Sequence, residues 1–172
     1  MFEYPEFDNN NVSLLCEMNR KNADMNMTIY VKRLLKGEMF SLCDDNNETA
    51  VLLLSGSVVF SCNELKAEGS RKNPFEKKPY CLHVSKKTAF TLEALEDSEF
   101  IVQQTDNDKE FEPRFYTPEN CLYQEFGKGQ WGGAGHRIVS TMFDYDNAPY
   151  SNLVLGEVFT QPGKWSSYPP HH

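Results

Sequence analysis

Short apolar stretches separated by polar turns dominate the chain, and the apolar residues do not follow the spacing of a long amphipathic helix. Thr28 to Leu34 is rich in β-branched and aromatic residues, which favour strands. Further strands are predicted at Tyr80 to Val84, Thr88 to Leu92, Phe100 to Gln104, Ile138 to Phe143 and Leu153 to Phe159. Many short strands without a long helix predict an all-β sandwich or barrel.

The most apolar part of the chain predicts a β-hairpin. A strand from Glu48 to Leu54 is followed by a predicted turn at Ser55-Gly56-Ser57 and a second strand at Val58 to Phe60. Ala50 to Leu54 contains no polar residue. A strand without alternating polar positions indicates burial on both faces, so we expect this strand to lie at the centre of the fold.

Three segments lack a strand pattern and divide the chain. Residues 1–27 carry clusters of asparagine and are predicted to form a loose N-terminal leader. Thr105 to Asn120 is acidic, contains two prolines and resembles a surface connector. Asp144 to Ser151 predicts a turn, and we place a domain boundary in or near it.

Composition excludes several classes of partner. The formal net charge is −8 with a pI near 5.0, and the 17 basic residues form no dense stripe. Arg71-Lys72 and Lys77-Lys78 flank a loop, where we expect them to be solvated. Nucleic acid is therefore not an expected partner, because its phosphates require clustered Lys and Arg. The acidic start and the lack of a long apolar stretch predict a cytoplasmic protein without a membrane partner.

The five cysteines are widely spaced and form no C-x-x-C pair. Such spacing in a cytoplasmic chain predicts reduced, mostly buried thiols rather than a disulfide framework. The residues concerned are Cys16, Cys43, Cys62, Cys81 and Cys121.

The glycine-dense segment from Gly127 to Arg137 superficially resembles a phosphate-binding loop. Such loops lie before a helix, whereas the residues from Ile138 onward predict a strand. A surface or interdomain loop anchored by Trp131 fits better. The alternative is a loop that lines a neighbouring pocket, in which Arg137 contacts a substrate carboxylate, because guanidinium groups bind carboxylates through two hydrogen bonds.

Isolated polar residues in the first part of the chain do not predict a metal site. Glu48 is the one carboxylate between Glu38 and Gly56 outside the turn cluster at residues 44–47, and that region has no histidine. A lone carboxylate near a turn is usually solvated or caps the turn. His83 and His136 are isolated and are expected to be hydrogen-bonded structural histidines.

The C-terminal residues carry the most specific pattern. Gly156-Glu157-Val158-Phe159-Thr160 is followed by Gly163, by Trp165-Ser166-Ser167-Tyr168 and by Pro169-Pro170-His171. This run resembles the signature of the 5-deoxy-glucuronate isomerase family, bicupin enzymes of myo-inositol catabolism, which reads G-E-V-x-T-x-x-G-x-W-S-S-Y-P-P-H-x-H-D. Arg71 to Phe75 is similar to the family's G-R-x-x-V-F loop, and Gly127 to Arg137 resembles its G-x-G-x-W segment followed by Arg.

The resemblance implies a cupin-type double-stranded β-helix, or jelly roll, over residues 28–145. Residues 146–172 would then be the first strands of a second cupin module. It also implies that His171 is a ligand of a divalent metal (Zn, Mn or Fe) in the intact protein, whereas this chain alone holds no cofactor. The remaining ligands and the catalytic base are not identified. Trp165, Ser167, Tyr168 and Arg137 are candidate contacts for a sugar-acid substrate, although the first three equally fit packing around the two prolines.

The implied activity is metal-dependent isomerisation of 5-deoxy-glucuronate to 2-deoxy-5-keto-gluconate, in which the metal polarises a carbonyl and a base moves a proton. Under this hypothesis the chain is the N-terminal part of the enzyme and is inactive alone. The alternative is a non-catalytic cupin module with a structural, sugar-binding or oligomerisation role. A third candidate, the 4-deoxy-5-hexosulose-uronate isomerase, is disfavoured by Ser166-Ser167-Tyr168. Unpaired strand edges in residues 150–172 predict either pairing onto the first module's sheet or a homo-oligomer.

Overall fold

The computed structural model describes residues 5–76 and 78–167, and almost all of its regular structure is β-strand. Two single-turn 3₁₀ helices lie at Ala23–Met25 and Gln130–Gly133. The strands are β1 (Val12–Cys16), β2 (Thr28–Leu34), β3 (Met39–Leu42), β4 (Asn47–Cys62), β5 (Leu65–Arg71), β6 (Cys81–Val84), β7 (Phe90–Ala94), β8 (Ser98–Asp106), β9 (Arg114–Tyr116), β10 (Leu122–Phe126), β11 (Arg137–Phe143) and β12 (Leu155–Thr160).

The first nine strands form the two facing layers of a cupin-type jelly roll, which we call the barrel. One layer has the strand order β1-β2-β8-β4-β6-β9, and the other joins β3, β7, β5 and the second half of β4. Every pairing is antiparallel. The prediction of an all-β cupin fold is thus confirmed.

The predicted hairpin at residues 48–60 is wrong, because β4 continues without a turn from Asn47 to Cys62. Its first half pairs with β6 and β8, and its second half pairs with β5 and β7, so one strand serves both layers. Gly56 lies at this crossing with a φ of 98°. A Cβ there would lie 2.2 Å from the Ser98 Oγ and 2.6 Å from the Asp97 carbonyl oxygen. The glycine therefore permits a close crossing rather than a reversal.

The apolar run within β4 is buried on both faces, as its pattern predicts. Val51 and Leu53 point into the barrel core, whereas Ala50 and Leu52 point outward into a second apolar cluster. That second cluster, which we call the interface cluster, comprises Ala50, Leu52, Cys81, Tyr116, Met142, Phe143, Ala148, Leu153 and Leu155. One strand therefore supplies the barrel core and also the surface on which later residues pack.

The strands β10, β11 and β12 form a separate antiparallel sheet, which we call the second sheet. Because β11 pairs with both β10 and β12, the break in sheet pairing lies between Tyr116 and Leu122. The predicted domain boundary at residues 144–151 falls in the connection between β11 and β12. Within residues 150–172, β12 pairs with β11, a strand that lies in the predicted first module at residues 28–145 but outside the sheet of the barrel.

Two segments predicted to be irregular contain strands. Within residues 1–27, β1 pairs with β2, so this part is not a loose leader. Within the predicted connector, β9 pairs with β6 and buries Tyr116. Both strands are short, and their patterns are too brief to be separated from a loop by sequence. The described residues include no helix long and apolar enough to cross a membrane.

Candidate functional site

Glu48 is one of the charged side chains that are buried near the contact between the barrel and the second sheet. Its side chain is fully buried, so the expectation of a solvated or capping carboxylate is wrong. One carboxylate oxygen lies 3.1 Å from the His83 Nε2 and accepts the Ser151 hydroxyl at 3.0 Å. The other accepts the Asn152 backbone N–H at 2.7 Å. Glu48 therefore joins β4 and β6 to the segment that leads into β12.

His83 is a fully buried structural histidine, as predicted, and lies against aromatic rings. Its ring stacks on Phe143 with a centroid distance of 4.1 Å and an interplanar angle of 1°. Burial lowers the pKa of His83 below its ordinary value, although the hydrogen bond and charge of Glu48 oppose this effect. Neutral His83 then donates its Nε2–H to the Glu48 carboxylate.

Burial favours the protonated form of Glu48, but its hydrogen bonds act in the opposite direction. The hydrogen bond from His83, followed by the bonds from Asn152 and Ser151, lowers the pKa of Glu48 below its ordinary value. Glu48 is therefore ionised at neutral pH, and its charge is stabilised by these donors.

A buried ion pair joins the barrel directly to β12. Arg71 has a fully buried side chain, so the prediction that it is solvated is wrong, whereas Lys72 and Lys78 are exposed. Its guanidinium donates to the two carboxylate oxygens of Glu157 at 2.8 and 2.7 Å. It also donates to the carbonyl oxygens of Leu53 at 2.9 Å and Pro74 at 3.2 Å.

The glycine-dense loop at residues 127–136 closes on itself beside the chain that follows β12. A Cβ on Gly127 would lie 2.3 Å from the carbonyl oxygen of Gly135, so the two ends of the loop are in close contact. The Trp165 backbone N–H donates to the Ala134 carbonyl oxygen at 2.8 Å. The rings of Trp131 and Trp165 lie 6.0 Å apart. A strand follows this loop, which excludes the helix-preceding geometry of a phosphate loop.

Two predicted substrate contacts, Arg137 and Trp165, lie near this end of the second sheet. Arg137 begins β11 and pairs with Thr160, the last residue of β12. Its guanidinium donates to the Gly135 carbonyl oxygen at 3.2 Å and lies 5.4 Å from the Phe126 ring centroid. Trp165, 40% exposed, follows on the adjoining segment, which also contains the exposed Ser167. Tyr168 and the predicted metal ligand His171 lie outside the described residues.

A cavity of about 570 Å³ lies between barrel residues 74–76 and 78 and the second sheet. Its walls include Lys78, Tyr123, Ile138, Ser140 and Phe159. Ile138 and Ser140 occupy the face of β11 opposite to that of Arg137, because successive strand residues point to opposite faces. The described candidate residues Arg137, Trp165 and Ser167 do not line this cavity.

The remaining titratable side chains agree with structural roles. His136 is hydrogen-bonded as predicted, with its Nε2 2.6 Å from the Glu125 carboxylate. All five cysteines are described and free; Cys16, Cys62 and Cys81 are buried, Cys121 is partly buried, and Cys43 is exposed. Burial raises the pKa of Cys121 to about 11 and that of Cys81 well above its ordinary value, so neither is an activated thiolate.

A divalent metal is not supported by the side chains that the structure describes. Within residues 5–76 and 78–167, no group of three or more His, Cys, Asp or Glu side chains could hold an ion. The buried pair of Glu48 and His83 provides two such groups, which bond each other. The described residues therefore do not fit a metal centre.

Sequence reasoning missed the pairing of two family motifs. Arg71 belongs to the segment resembling G-R-x-x-V-F, and Glu157 belongs to the G-E-V segment. The two residues are 86 positions apart in the chain, so no local pattern links them. The one indication of this pairing in the sequence was that Arg71 lies within a family motif that is otherwise a surface loop.

Comparisons with known proteins agree with this motif assignment. A sequence profile described as the KduI/IolB family matches residues 2–172. The chain belongs to the KduI/IolB family. The chain is 27% identical over 164 residues to a 5-deoxy-glucuronate isomerase of Halalkalibacterium halodurans, covering 93% of this chain and 59% of that protein. It is 26% identical over 167 residues to the 5-deoxy-glucuronate isomerase of Bacillus subtilis strain 168, covering 94% and 60% respectively.

This member of the KduI/IolB family also shares its fold with solved structures. An IolB-like protein from Salmonella typhimurium matches 80% of this chain and 52% of its own, with a TM-score of 0.73 and 23% identity. A putative glyoxylate-induced protein from Pseudomonas aeruginosa matches 80% and 50%, with a TM-score of 0.58 and 9% identity. The chain spans about three-fifths of the length of the two isomerases named above.

Proposed function

We propose that residues 1–172 are the N-terminal part of a sugar-acid isomerase that converts 5-deoxy-glucuronate to 2-deoxy-5-keto-gluconate in inositol catabolism. The observation that carries this proposal is the profile match over residues 2–172, with relatives named as that isomerase. The barrel is then the first cupin module, and the second sheet begins the second module. We further propose a cytoplasmic location and a homo-oligomer.

The arrangement at the end of the second sheet supports a substrate-binding role for this region. Arg137 carries a permanent positive charge, and a sugar acid carries a carboxylate, which a guanidinium binds well. Trp131, on the loop that precedes Arg137, and Trp165, on the chain that follows β12, are half-exposed and have rings 6.0 Å apart that offer apolar contact to a sugar face. We propose that Arg137 and Trp165, together with Ser167 and Tyr168, contact the substrate.

We propose that His171 is a ligand of a divalent metal, and we propose no ligand among the described residues. Because those residues lack a metal centre, we assign no chemical step to the ion. Elemental analysis of the purified protein measures directly whether the metal is bound. The 172-residue chain alone is proposed to be inactive.

The test is turnover of 5-deoxy-glucuronate by the protein expressed from its whole reading frame, followed by NMR of substrate and product. The variant H171Q is expected to lose bound metal and turnover, because it removes the proposed ligand. The matched control is H136Q, which makes the same change at a histidine bonded to Glu125. The metal content of H136Q is expected to equal that of the parent, because His136 bonds Glu125 and is not a proposed ligand.

Two results would contradict the proposal. Absence of turnover by the whole protein with bound metal present would remove the isomerase assignment. Equal metal content in H171Q and H136Q would remove His171 as a ligand. A metal-free, inactive protein that still binds the sugar acid would instead favour the alternative, a non-catalytic cupin module.

A further inference from the structure

The Arg71–Glu157 pair connects the barrel to the strand that leads into the proposed substrate region. Arg71 ends β5, and Glu157 lies in the middle of β12. The Arg71 side chain has no exposed surface, and the Glu157 side chain is 12% exposed. This is therefore a nearly dry ion pair that crosses the contact between the two sheets.

Stability alone does not account for such a pair. Removing two charges from water costs about as much as their attraction returns, and well-packed apolar residues often replace a buried pair without loss. A bidentate guanidinium–carboxylate contact provides something that apolar packing does not, because its two parallel hydrogen bonds define an orientation. The fork of Arg71 is itself held by the carbonyl oxygens of Leu53 and Pro74.

The orientation of Glu157 is transmitted to the candidate site through strand pairing. Glu157 pairs with Ser140, and the same ladder continues to the pair of Thr160 and Arg137 at the end of the sheet. After Thr160 the chain reaches Trp165, whose backbone N–H bonds the loop at Ala134. A rotation of β12 at Glu157 would therefore displace the residues proposed to contact the substrate.

We propose that Arg71 and Glu157 are positioning residues, through which the barrel sets the orientation of β12 and of the segment at residues 161–167 for sugar-acid binding. The positioning of the segment follows from the contacts above. Its consequence for a sugar acid rests on the proposed function. Neither residue touches the substrate in this proposal, and each acts through the backbone of β12.

The test compares R71K with R33K, each in the whole protein. R71K keeps the charge but loses the bidentate fork that holds Glu157. R33K makes the same change in the exposed Arg33–Glu99 pair, whose atoms lie 2.7 Å apart on the barrel. Hydrogen exchange should rise about tenfold in residues 157–167 of R71K, the equivalent of about 1.4 kcal/mol. R33K should leave that segment unchanged.

A second pair of variants covers the case in which R71K fails to fold. E157Q retains the shape of the side chain and removes its charge, and E99Q is its matched control. Residues 1–172 contain 2 tryptophans, Trp131 and Trp165, and both lie at the candidate site. Calorimetric titration with 5-deoxy-glucuronate measures the affinity of the whole protein, and E157Q is expected to weaken binding about tenfold relative to E99Q, the equivalent of about 1.4 kcal/mol.

Specific outcomes decide between positioning and a purely structural role. Faster exchange in β2 and β8 to the same extent as in residues 157–167 would show general destabilisation and would overturn the proposal. Equal exchange in R71K and R33K would also overturn it. If the parent protein neither binds nor converts the sugar acid, the proposed function fails, while a localised exchange difference still supports positioning of the segment.

Discussion

The barrel and the second sheet differ in how they are held together. Among the residues that the structure describes, the barrel has its own core of 13 buried residues between its two layers. In the second sheet, β10 exposes four of its five residues, and the buried residues of β11 and β12 include members of the interface cluster. The second sheet is thus ordered largely by contact with the barrel.

The two regions therefore have different roles, which a single domain often combines. The barrel provides a stable surface, and the second sheet carries the residues proposed to contact substrate. The link between them is apolar at Leu52 and Met142 and ionic at Arg71–Glu157. The hydrogen bonds from Ser151 and Asn152 to the Glu48 carboxylate add to it. Substitutions in each region should therefore have different effects on stability, and four predictions test this.

The largest effect is expected in the barrel core. L53A removes most of a fully buried side chain and should lower the free energy of unfolding by about 4 kcal/mol, through lost burial and a cavity. V158A in the second sheet changes a side chain that is 52% exposed and should cost about 0.5 kcal/mol or less. Chemical denaturation measures both, and similar losses would contradict a self-supporting barrel.

The next effect is expected where β4 crosses between the layers. G56A should lower the free energy of unfolding by about 2–3 kcal/mol, because the new Cβ meets Ser98 and the backbone of Asp97 at a positive φ. Gly37 has a similar φ of 85°, and a Cβ added there would meet no atom within 4 Å, so G37A isolates the backbone strain. Equal losses in the two variants would show that the crowding at Gly56 is unimportant.

Acidification should weaken the contact at Glu48 and His83. The pKa of His83 is lowered from 6.5 in the folded protein, so the unfolded chain takes up this proton first as the pH falls. The free energy of unfolding therefore decreases from about pH 7 downward. The pKa of Glu48 is lowered from 4.5, and this adds a further loss at more acidic pH, as the stabilisation of its ionised form disappears.

Thermal unfolding followed between pH 7.5 and pH 4 measures this dependence. H83Q cannot titrate, so its melting temperature should change less than that of the parent between pH 7 and pH 5.5. H136Q is the control, because it makes the same change at a part-exposed histidine. Parallel curves for H83Q and the parent would show that His83 does not contribute.

The smallest effect is expected beside Arg71. Lys72 forms an exposed ion pair with Glu76 at 3.2 Å, with 74% and 51% of the two side chains exposed. K72A should change the free energy of unfolding by about 0.5 kcal/mol or less, since water and salt screen such pairs. A loss above about 1.5 kcal/mol would contradict the distinction between the buried Arg71 and the exposed Lys72.

Local patterns predicted the strands well and their connections poorly. Thr28 to Leu34 was predicted with the observed bounds, because its β-branched and aromatic residues leave little alternative. The continuous strand through Gly56 was predicted as a hairpin, because a glycine between two serines is equally typical of a turn. The choice between them depends on Ser98 and Asp97, which approach from a distant part of the chain.

For the candidate site, the motif indicated which residues to consider but not their environments. It named Arg137 and Trp165, and the structure brings them to the same end of the second sheet. It gave no indication that Arg71 and Glu48 are buried, because burial of a charge depends on partners that are remote in sequence. Lone charged residues are usually exposed, and that expectation failed where the chain supplied such partners.

The sequence by itself determined the all-β class, the family and the burial of both faces of Ala50 to Leu54, because these depend on residue types and local spacing. Tertiary structure decided which strands pair, where the second sheet begins and which charges are buried. Those properties depend on contacts such as the one between Arg71 and Glu157, 86 residues apart. A buried guanidinium is stable there because folding brings a carboxylate and two carbonyl oxygens to it.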